Sequence, residues 1–523
     1  MSFTPPVFPD RFNMADYFVF ANIEAGRGDK TAIVFEGRAI TYDEVADNVM
    51  RVARRLVGDG LLPEQRVLVC MRDCPEFVYA WFGAIKAGAV VTQINPLLPA
   101  HDYDYFLNYV RPQFAFIDGQ SAPAFGEALA DSRYCGGGRN VVVAGGGAPP
   151  HRGFEAWLDS GQLGEPWPTR KDDPAVWLFT SGTTGQSKGA VHCHFHFPYN
   201  TEVYAKSFIG VRESDVTISG PRLYFGYATG TNLMFPFAVG ATTVLFSEQP
   251  TPEILFALIE KHRASVFTSV PTLINKMLQA GESERRDLSS LRFMWSAGEA
   301  LPRELHERWD RAFGAPIVDG IGSAESFHIY ISNRPGDIRP GSLGRLVPGY
   351  EAKLLDDEGA PVAQGDVGTL WLGGDSAALY YHSAYAKSKE HLRGGWIVSG
   401  DKFRQDADGY WHYEGRSDDL IKSGGVYVSP LEVENCLMMH AAVGECCVIG
   451  RKDEAGLEKP LAIVALKDGV AGSPALESEL IAFAKERLAR YKAPRWVLFR
   501  AERLPRNDRD KIDRKKLKAE HAR

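Results

Sequence analysis

The 523 residues, 45% of them hydrophobic, can bury a large core and should divide into more than one domain. A formal net charge of -7 excludes a generally polyanion-seeking surface, and with it nucleic acid as the main partner. The seven cysteines (Cys70, Cys74, Cys135, Cys193, Cys436, Cys446, Cys447) lack the paired spacing of a zinc site and read as buried free thiols. Met1 to Asn13 is proline-rich without a basic start, and no long apolar run follows, so a cytoplasmic protein with no membrane partner is expected.

In chain order, Thr41 and Glu44 have capping-box spacing, and Val45, Val49, Val52, Ala53 and Leu56 then recur on one face. This predicts an amphipathic helix closing near Gly58. Val67 to Val69, Ala89 to Thr92 and Phe114 to Ile117 read as strands, with a helix over Phe77 to Ile85 between the first two. Such alternation predicts a parallel, layered α/β sheet. Glycines and prolines cluster through Cys135 to Gly153, which reads as a surface loop.

Ala175 to Phe179 is a short buried-strand candidate that runs directly into Thr180-Ser181-Gly182-Thr183-Thr184-Gly185-Gln186-Ser187-Lys188-Gly189. Small and hydroxylated residues expose backbone N–H groups and add hydroxyl donors, while Lys188 adds a mobile positive charge, so the run is built to grip phosphate. It is not a Walker loop, because Lys188 follows Ser187 and precedes Gly189, and an ordinary phosphate-loop NTPase is disfavoured. Near Gly415 to Gly425 polar and glycine residues interrupt the pattern. Ser429, Pro430 and Glu432 then open a new helix. Strands at Glu445 to Val448, Leu461 to Leu466 and Trp496 to Phe499, with a helix around Leu480 to Leu488, predict a small α+β domain. The basic tail with Arg514, Lys515, Lys516 and Lys518 is interrupted by acidic residues and reads as a solvated helix.

Five further segments follow in the chain: Ser296-Ala297-Gly298-Glu299, Gly322-Ser323-Ala324-Glu325, Ser399-Gly400-Asp401, Gly415-Arg416-Ser417-Asp418-Asp419, and Leu504-Pro505-Arg506 leading to Lys511. With these motifs in this order, the chain resembles the adenylate-forming superfamily of acyl- and aryl-CoA ligases, stand-alone adenylation domains and luciferases. The resemblance implies an α/β fold with a large layered N-terminal domain over residues 1–417, binding ATP and the acid. A small mobile α+β C-terminal domain over 418–523 would follow. It implies ATP, Mg²⁺ and coenzyme A as cofactor and co-substrates. Thr180, Ser181, Gly182, Thr183, Thr184, Gly185 and Lys188 would hold phosphates. Ser296, Ala297, Gly298 and Glu299 would border the adenine, Asp319, Gly320, Ile321, Gly322 and Ser323 would complete the nucleotide site, and Asp401 and Arg416 would meet the ribose. Glu325 would be the metal-holding catalytic carboxylate. Lys511 would be the catalytic lysine that steadies the reacting carboxylate and α-phosphate. Rotation about a hinge at Asp418 would bring Ser423, Gly424 and Gly425 to a coenzyme A tunnel, for which glycine permits close backbone approach.

Leu223-Tyr224-Phe225-Gly226-Tyr227 and Ile321 to Ile329 look most like the benzoate-type CoA ligases. That likeness implies a compact aryl pocket from Phe225, Gly226, Tyr227, Gly322, His328 and Ile329, and an aromatic carboxylate as substrate, benzoate-like first and hydroxy- or aminobenzoate next. Three residues depart from the superfamily's pattern. Ala324 stands where threonine commonly donates to the α-phosphate, Asp510 where glycine commonly precedes the catalytic lysine, and Ser187 where proline is frequent. Two other readings accompany the ligase: a stand-alone aryl-acid adenylation enzyme loading a carrier protein, and a nucleotide-binding pseudoenzyme motivated by Ala324 and Asp510. Dimers are common among relatives, so a homodimer is compatible with the resemblance.

Overall fold

The computed structural model describes residues 4–130, 132–147, 151–181, 187–282, 285–416, 419–423, 426–454, 457–506 and 512–521. The capping box forms as expected: the Thr41 side chain accepts from the Glu44 N–H, the Glu44 carboxylate accepts from the Thr41 N–H, and the helix Tyr42–Gly58 follows. Val45, Val49, Val52, Ala53 and Leu56 are all buried along it.

Two mixed sheets form the body of the chain. A seven-stranded sheet runs in the order Arg152–Gly153, Val141–Ala144, Phe114–Asp118, Arg66–Cys70, Val90–Gln93, Pro174–Ser181, Ser187–Cys193. Its pairings are parallel until the last, which is antiparallel. Continuous apolar runs such as Val67 to Cys70 and Phe114 to Ile117 are buried, as strands covered on both faces require. A nine-stranded sheet has the parallel core Phe293–Ser296, Val266–Ser269, Val216–Ser219 and Thr242–Leu245, flanked on one side by Ile317–Gly322 and Ile329–Ser332. A five-stranded antiparallel sheet built around Trp396–Gln405 follows.

The expected surface loop at Cys135 to Gly153 is corrected. The segment holds a 3₁₀ turn, Cys135–Gly138, and the strands Val141–Ala144 and Arg152–Gly153. The three consecutive valines lie buried beside Phe114–Asp118, and their burial outweighs the turn signal of the surrounding glycines. The proposed boundary between 417 and 418 falls on residues outside those described.

Beyond it, Val443–Lys452, Glu458–Leu466 and Trp496–Arg500 form a three-stranded sheet with the helices Pro430–Met438 and Pro474–Arg487. Their apolar clusters draw only on residues from Ile421 onward. Ser429 caps the first of these helices by accepting from the Glu432 N–H. Glu432 itself turns to Lys492, 2.6 Å away, rather than back to the cap. The tail helix Arg514–His521 is docked, not simply solvated: Leu517 is fully buried and Arg514 pairs with Glu434 at 2.7 Å. Among the described residues no helix is long and apolar enough to cross a membrane.

One buried ion pair joins the two large sheets beneath the Leu223 to Tyr227 segment. Asp73, just before the helix Pro75–Lys86, accepts from the Leu223 N–H at 2.9 Å and faces Arg222 at 3.7 Å. Burial pushes the Asp73 carboxyl up to about 6 against the pull of Arg222. Removing one partner of a buried pair costs about 3–5 kcal/mol, because the other charge stays buried and uncompensated. Asp73→Ala should therefore lose about that much in urea unfolding, and Asp73→Asn, which keeps an acceptor for Leu223, clearly less. Equal losses would mean that the Leu223 bond contributes nothing.

Candidate active site

Pro174–Ser181 and Ser187–Cys193 pair antiparallel with Thr180 opposite Lys188, so the two ends of the phosphate-grip segment belong to a two-stranded stem. Gly182, Thr183, Thr184, Gly185 and Gln186 lie outside the described residues. The helix Ala100–Val110 braces the stem with two tyrosines four residues apart, hence on one helical face. Tyr105 donates to the Ser187 carbonyl at 2.5 Å, while the Tyr109 hydroxyl accepts from the Gly189 N–H at 3.1 Å and donates to the His382 carbonyl at 2.5 Å. The stem's far edge is extended by residues 379–382: Leu379 donates to the Val191 carbonyl, Val191 to Tyr380 and His382 to Gly189. Partial burial draws the Lys188 ammonium down from its ordinary value, and Lys387 adds repulsion.

Glu325 lies in a 3₁₀ turn, Ala324–Ser326. Phe327, the next residue, has φ 71 and ψ -56, a conformation that costs a non-glycine residue about 1–3 kcal/mol. Its ring stacks on Phe197 with centroids 3.5 Å apart. Each carbonyl of the turn is held from another segment. Ala324 accepts from His192 Nε2 at 2.7 Å, Glu325 from the Ala378 N–H at 2.7 Å, and Ser326 from Ser376 Oγ at 2.9 Å. The Glu325 carboxylate accepts from the Tyr381 hydroxyl at 2.6 Å. Lys188 Nζ sits 6.0 Å from the centroid of the same tyrosine ring, which places the phosphate lysine beside the carboxylate.

A cavity of about 630 Å³ opens next to this turn. Its wall carries Phe225, Gly226, Tyr227, Gly322, His328 and Ile329, all six of the expected aryl-pocket residues, together with Thr180, Ser187, Ala297, Gly298, Ser323 and Ala324. His328 is buried, its Nε2 lies 2.9 Å from the Tyr227 carbonyl, and burial pushes it down to about 4. A neutral ring beside a carbonyl carries its hydrogen on Nε2, so Nδ1 is an acceptor. Among the described residues, that atom and the Tyr227 hydroxyl are buried without a hydrogen-bond partner. Gly322 has to be glycine here, since a Cβ would stand 2.6 Å from the His328 carbonyl carbon and oxygen.

The remaining expected nucleotide residues surround this wall unevenly. Ser296 and Asp319 are buried register partners in adjacent strands, and burial pushes the Asp319 carboxyl up to about 8. Gly320 and Ile321 follow in the strand Ile317–Gly322. Glu299 faces away from the cavity: its carboxylate accepts from the Thr272 N–H at 3.0 Å and Oγ1 at 2.8 Å, at the start of the helix Pro271–Gln279. Asp401 and Arg416 are register partners in adjacent strands, and the Asp401 carboxylate accepts from Tyr413 at 3.1 Å. Ser423 ends the strand Ile421–Ser423. Lys511, Asp510, Asp418, Gly424 and Gly425 lie outside the described residues. Among the described residues, no part of the cavity wall comes from beyond Ile329. The sequence reading missed Tyr381, His192, Tyr105, Tyr109 and Asp73. Only His192, in the run His192-Cys193-His194-Phe195-His196, carried a local signal.

Glu325 fits a magnesium ion in kind, being a hard oxygen donor held in place by a neighbouring hydroxyl. Among the described residues no group of three or more His, Cys, Asp or Glu could hold a metal. Glu325 would be the carboxylate that holds such an ion, which when bound would screen the negative charge of a triphosphate.

The AMP-binding enzyme family matches residues 20–382, and the AMP-binding enzyme C-terminal domain matches 432–511. Benzoate–CoA ligase of Thauera aromatica is 42% identical over 99% of this chain and 98% of its own length. The 4-hydroxybenzoate–CoA/benzoate–CoA ligase of Rhodopseudomonas palustris is 36% identical over 96% and 93%. Among solved structures, an anthranilate CoA ligase in complex with anthranoyl-AMP superposes with a TM-score of 0.90 at 37% identity, covering 98% of both chains. A benzoate CoA ligase from Burkholderia xenovorans LB400 gives 0.87 at 39%, covering 97% of this chain and 99% of that one.

If Tyr381 orients the Glu325 carboxylate, Tyr381→Phe should raise the magnesium concentration needed for half-maximal binding of a fluorescent ATP analogue by about tenfold, the lower range for loss of such an orienting partner. An unchanged magnesium requirement would remove Tyr381 from the metal's surroundings.

Proposed function

The chain belongs to the AMP-binding enzyme family, and from that premise we propose that it is an AMP-forming acid–thiol ligase. It activates a benzoate-like carboxylate with ATP and passes the acyl group to coenzyme A. The observation that carries this reading is the shared cavity: the aryl-lining residues and the stem of the phosphate loop border one space. Relatives at 42% and 36% identity over nearly the whole chain act on benzoate and hydroxybenzoate as CoA ligases.

In the first half-reaction a carboxylate oxygen of the acid attacks the α-phosphorus of ATP, the bond to pyrophosphate breaks, and an aroyl-adenylate forms. Both reactants are anions, so the site has to offset their repulsion and the charge that builds on pyrophosphate. Lys188 supplies one cation at the stem of the loop. A bound magnesium ion would screen the triphosphate from Glu325. Lys511 contributes a second cation toward the carboxylate and α-phosphate. In the second half-reaction the coenzyme A sulfur attacks the acyl carbon and AMP leaves. Rotation about Asp418 withdraws Lys511 and brings the segment Ser423, Gly424 and Gly425 to the thiol's path, while Asp401 and Arg416 keep hold of the ribose.

The pocket's two buried polar atoms without hydrogen-bond partners among the described residues, on Tyr227 and His328, call for hydroxy- and aminobenzoates beside benzoate in a substrate panel. With ATP, magnesium and coenzyme A, aryl acids should give thioesters with kcat/KM at least tenfold above straight-chain acids of similar size. Transfer to a carrier protein but not to free coenzyme A would favour the carrier-loading enzyme. Absence of acid-dependent pyrophosphate exchange across the panel would favour the pseudoenzyme.

Ala324 lines the cavity without the hydroxyl common at this position. Ala324→Thr should tighten binding of a non-hydrolysable aroyl-adenylate analogue by roughly tenfold, the worth of one hydrogen bond to a charged acceptor. Calorimetry reads this directly, and equal or weaker binding would mean that the phosphate is already satisfied.

A further inference from the structure

Three buried histidines alternate along the end of the phosphate-loop stem: His192, His194 and His196. His194 accepts from the Met14 N–H at 3.1 Å and belongs to the packing of the N-terminal segment. The other two form a chain. His192 Nε2 lies 2.7 Å from the Ala324 carbonyl, and its Nδ1 lies 3.1 Å from His196 Nδ1.

The hydrogen positions follow from these contacts. A carbonyl oxygen only accepts, so His192 Nε2 carries hydrogen. Burial pushes His192 down to about 4, so its ring is neutral and its Nδ1 carries no hydrogen. His196 Nδ1 faces that atom at 3.1 Å and the Cys193 N–H at 3.4 Å. The Ala324 carbonyl thus fixes the tautomer of His192, His196 packs behind it, and His192 holds the turn that carries Glu325. The relation is that of a ligating group, its orienting partner and a third group behind it.

We propose that His192 is a positioning residue for the adenylation half-reaction, with His196 backing its ring. Its bond to Ala324 keeps the Ala324–Ser326 turn closed against the strain at Phe327, and so keeps Glu325 at the phosphate end of the cavity while His328 faces the acid end. This rests on the ligase reading above. It differs from a general stabilising role because the two half-reactions should respond differently. Glu325 serves the attack on ATP, whereas attack of a thiol on an already formed adenylate proceeds after pyrophosphate has left.

The test uses the full-length enzyme with three variants. His192→Leu removes the donor, His192→Gln keeps an amide donor at a similar reach, and His196→Phe keeps the His192 bond but removes the ring nitrogen behind it. For His192→Leu, acid-dependent pyrophosphate exchange should fall by about tenfold to a hundredfold, while thioester formation from supplied aroyl-adenylate should change less than threefold. Hydrogen exchange in the peptide spanning 324–328 should speed up. His192→Gln should recover most of both losses, and His196→Phe should fall between. Should the leucine variant not fold, the glutamine and phenylalanine variants carry the same comparison. Equal loss in both half-reactions, or unchanged exchange in 324–328, would overturn the proposal. A wild-type enzyme that makes no adenylate from any acid would instead overturn the ligase reading itself.

Discussion

The site depends on keeping one strained turn closed. Phe327 has a backbone conformation that no residue with a Cβ adopts without cost, and it follows directly on the Ala324–Ser326 turn. The turn survives because each of its carbonyls is satisfied from elsewhere, by His192, by Ala378 and by Ser376. An unsatisfied buried carbonyl would cost about 1–3 kcal/mol, of the same order as the strain itself. His192 comes from the seven-stranded sheet, and Ser376 and Ala378 from a connection within the five-stranded sheet, while the turn links two neighbouring strands of the nine-stranded one. The Glu325 site is therefore complete only when all three have docked.

The same bonds tie the nucleotide end to the acid end. Residues 379–382 run along the phosphate-loop stem and carry Tyr381 to Glu325. His192, on the stem itself, reaches the residue before Glu325. The stem and the Glu325 carboxylate are thus joined by direct hydrogen bonds on both sides of the turn. Tyr105 and Tyr109 extend the brace to a helix on the other side.

Elements with local causes were legible in the sequence. The Thr41 capping box, the buried runs around Val67 and Phe114, and the Ser429 cap all appear where their residues predict them. The six aryl-pocket residues come together on one wall, because two short segments carry them. What was illegible depended on distant partners. Val141 to Val143 looked like part of a glycine-rich loop until Phe114–Asp118 gave it a neighbour to pair with. Glu299 reads as a member of an adenine-side motif, yet its carboxylate caps a helix at Thr272. Tyr381 lies 56 positions from Glu325 and His192 lies 132 from Ala324, separations at which no periodicity or spacing rule operates.

Placing Glu325 and His328 three residues apart on a single over-determined turn has a consequence for substrate choice. A change that reshapes the cavity at Gly322 or Phe327 also moves the backbone that presents the Glu325 carboxylate, since a Cβ at Gly322 would press on the His328 backbone at 2.6 Å. A substitution at Gly226 differs. Gly226 starts a separate helix, Gly226–Thr229, where a Cβ would meet Leu178 methyl groups at 3.5 Å, whereas Ile329 pairs with Gly322 at a shift of register and stays on the side of the turn. The acid pocket thus has one wall bound to the chemistry and one that is free of it. Variation in the ring that the pocket accepts is most easily accommodated on the Gly226 side, where the cavity can change shape while the turn, and the electrostatics of adenylation, stay as they are.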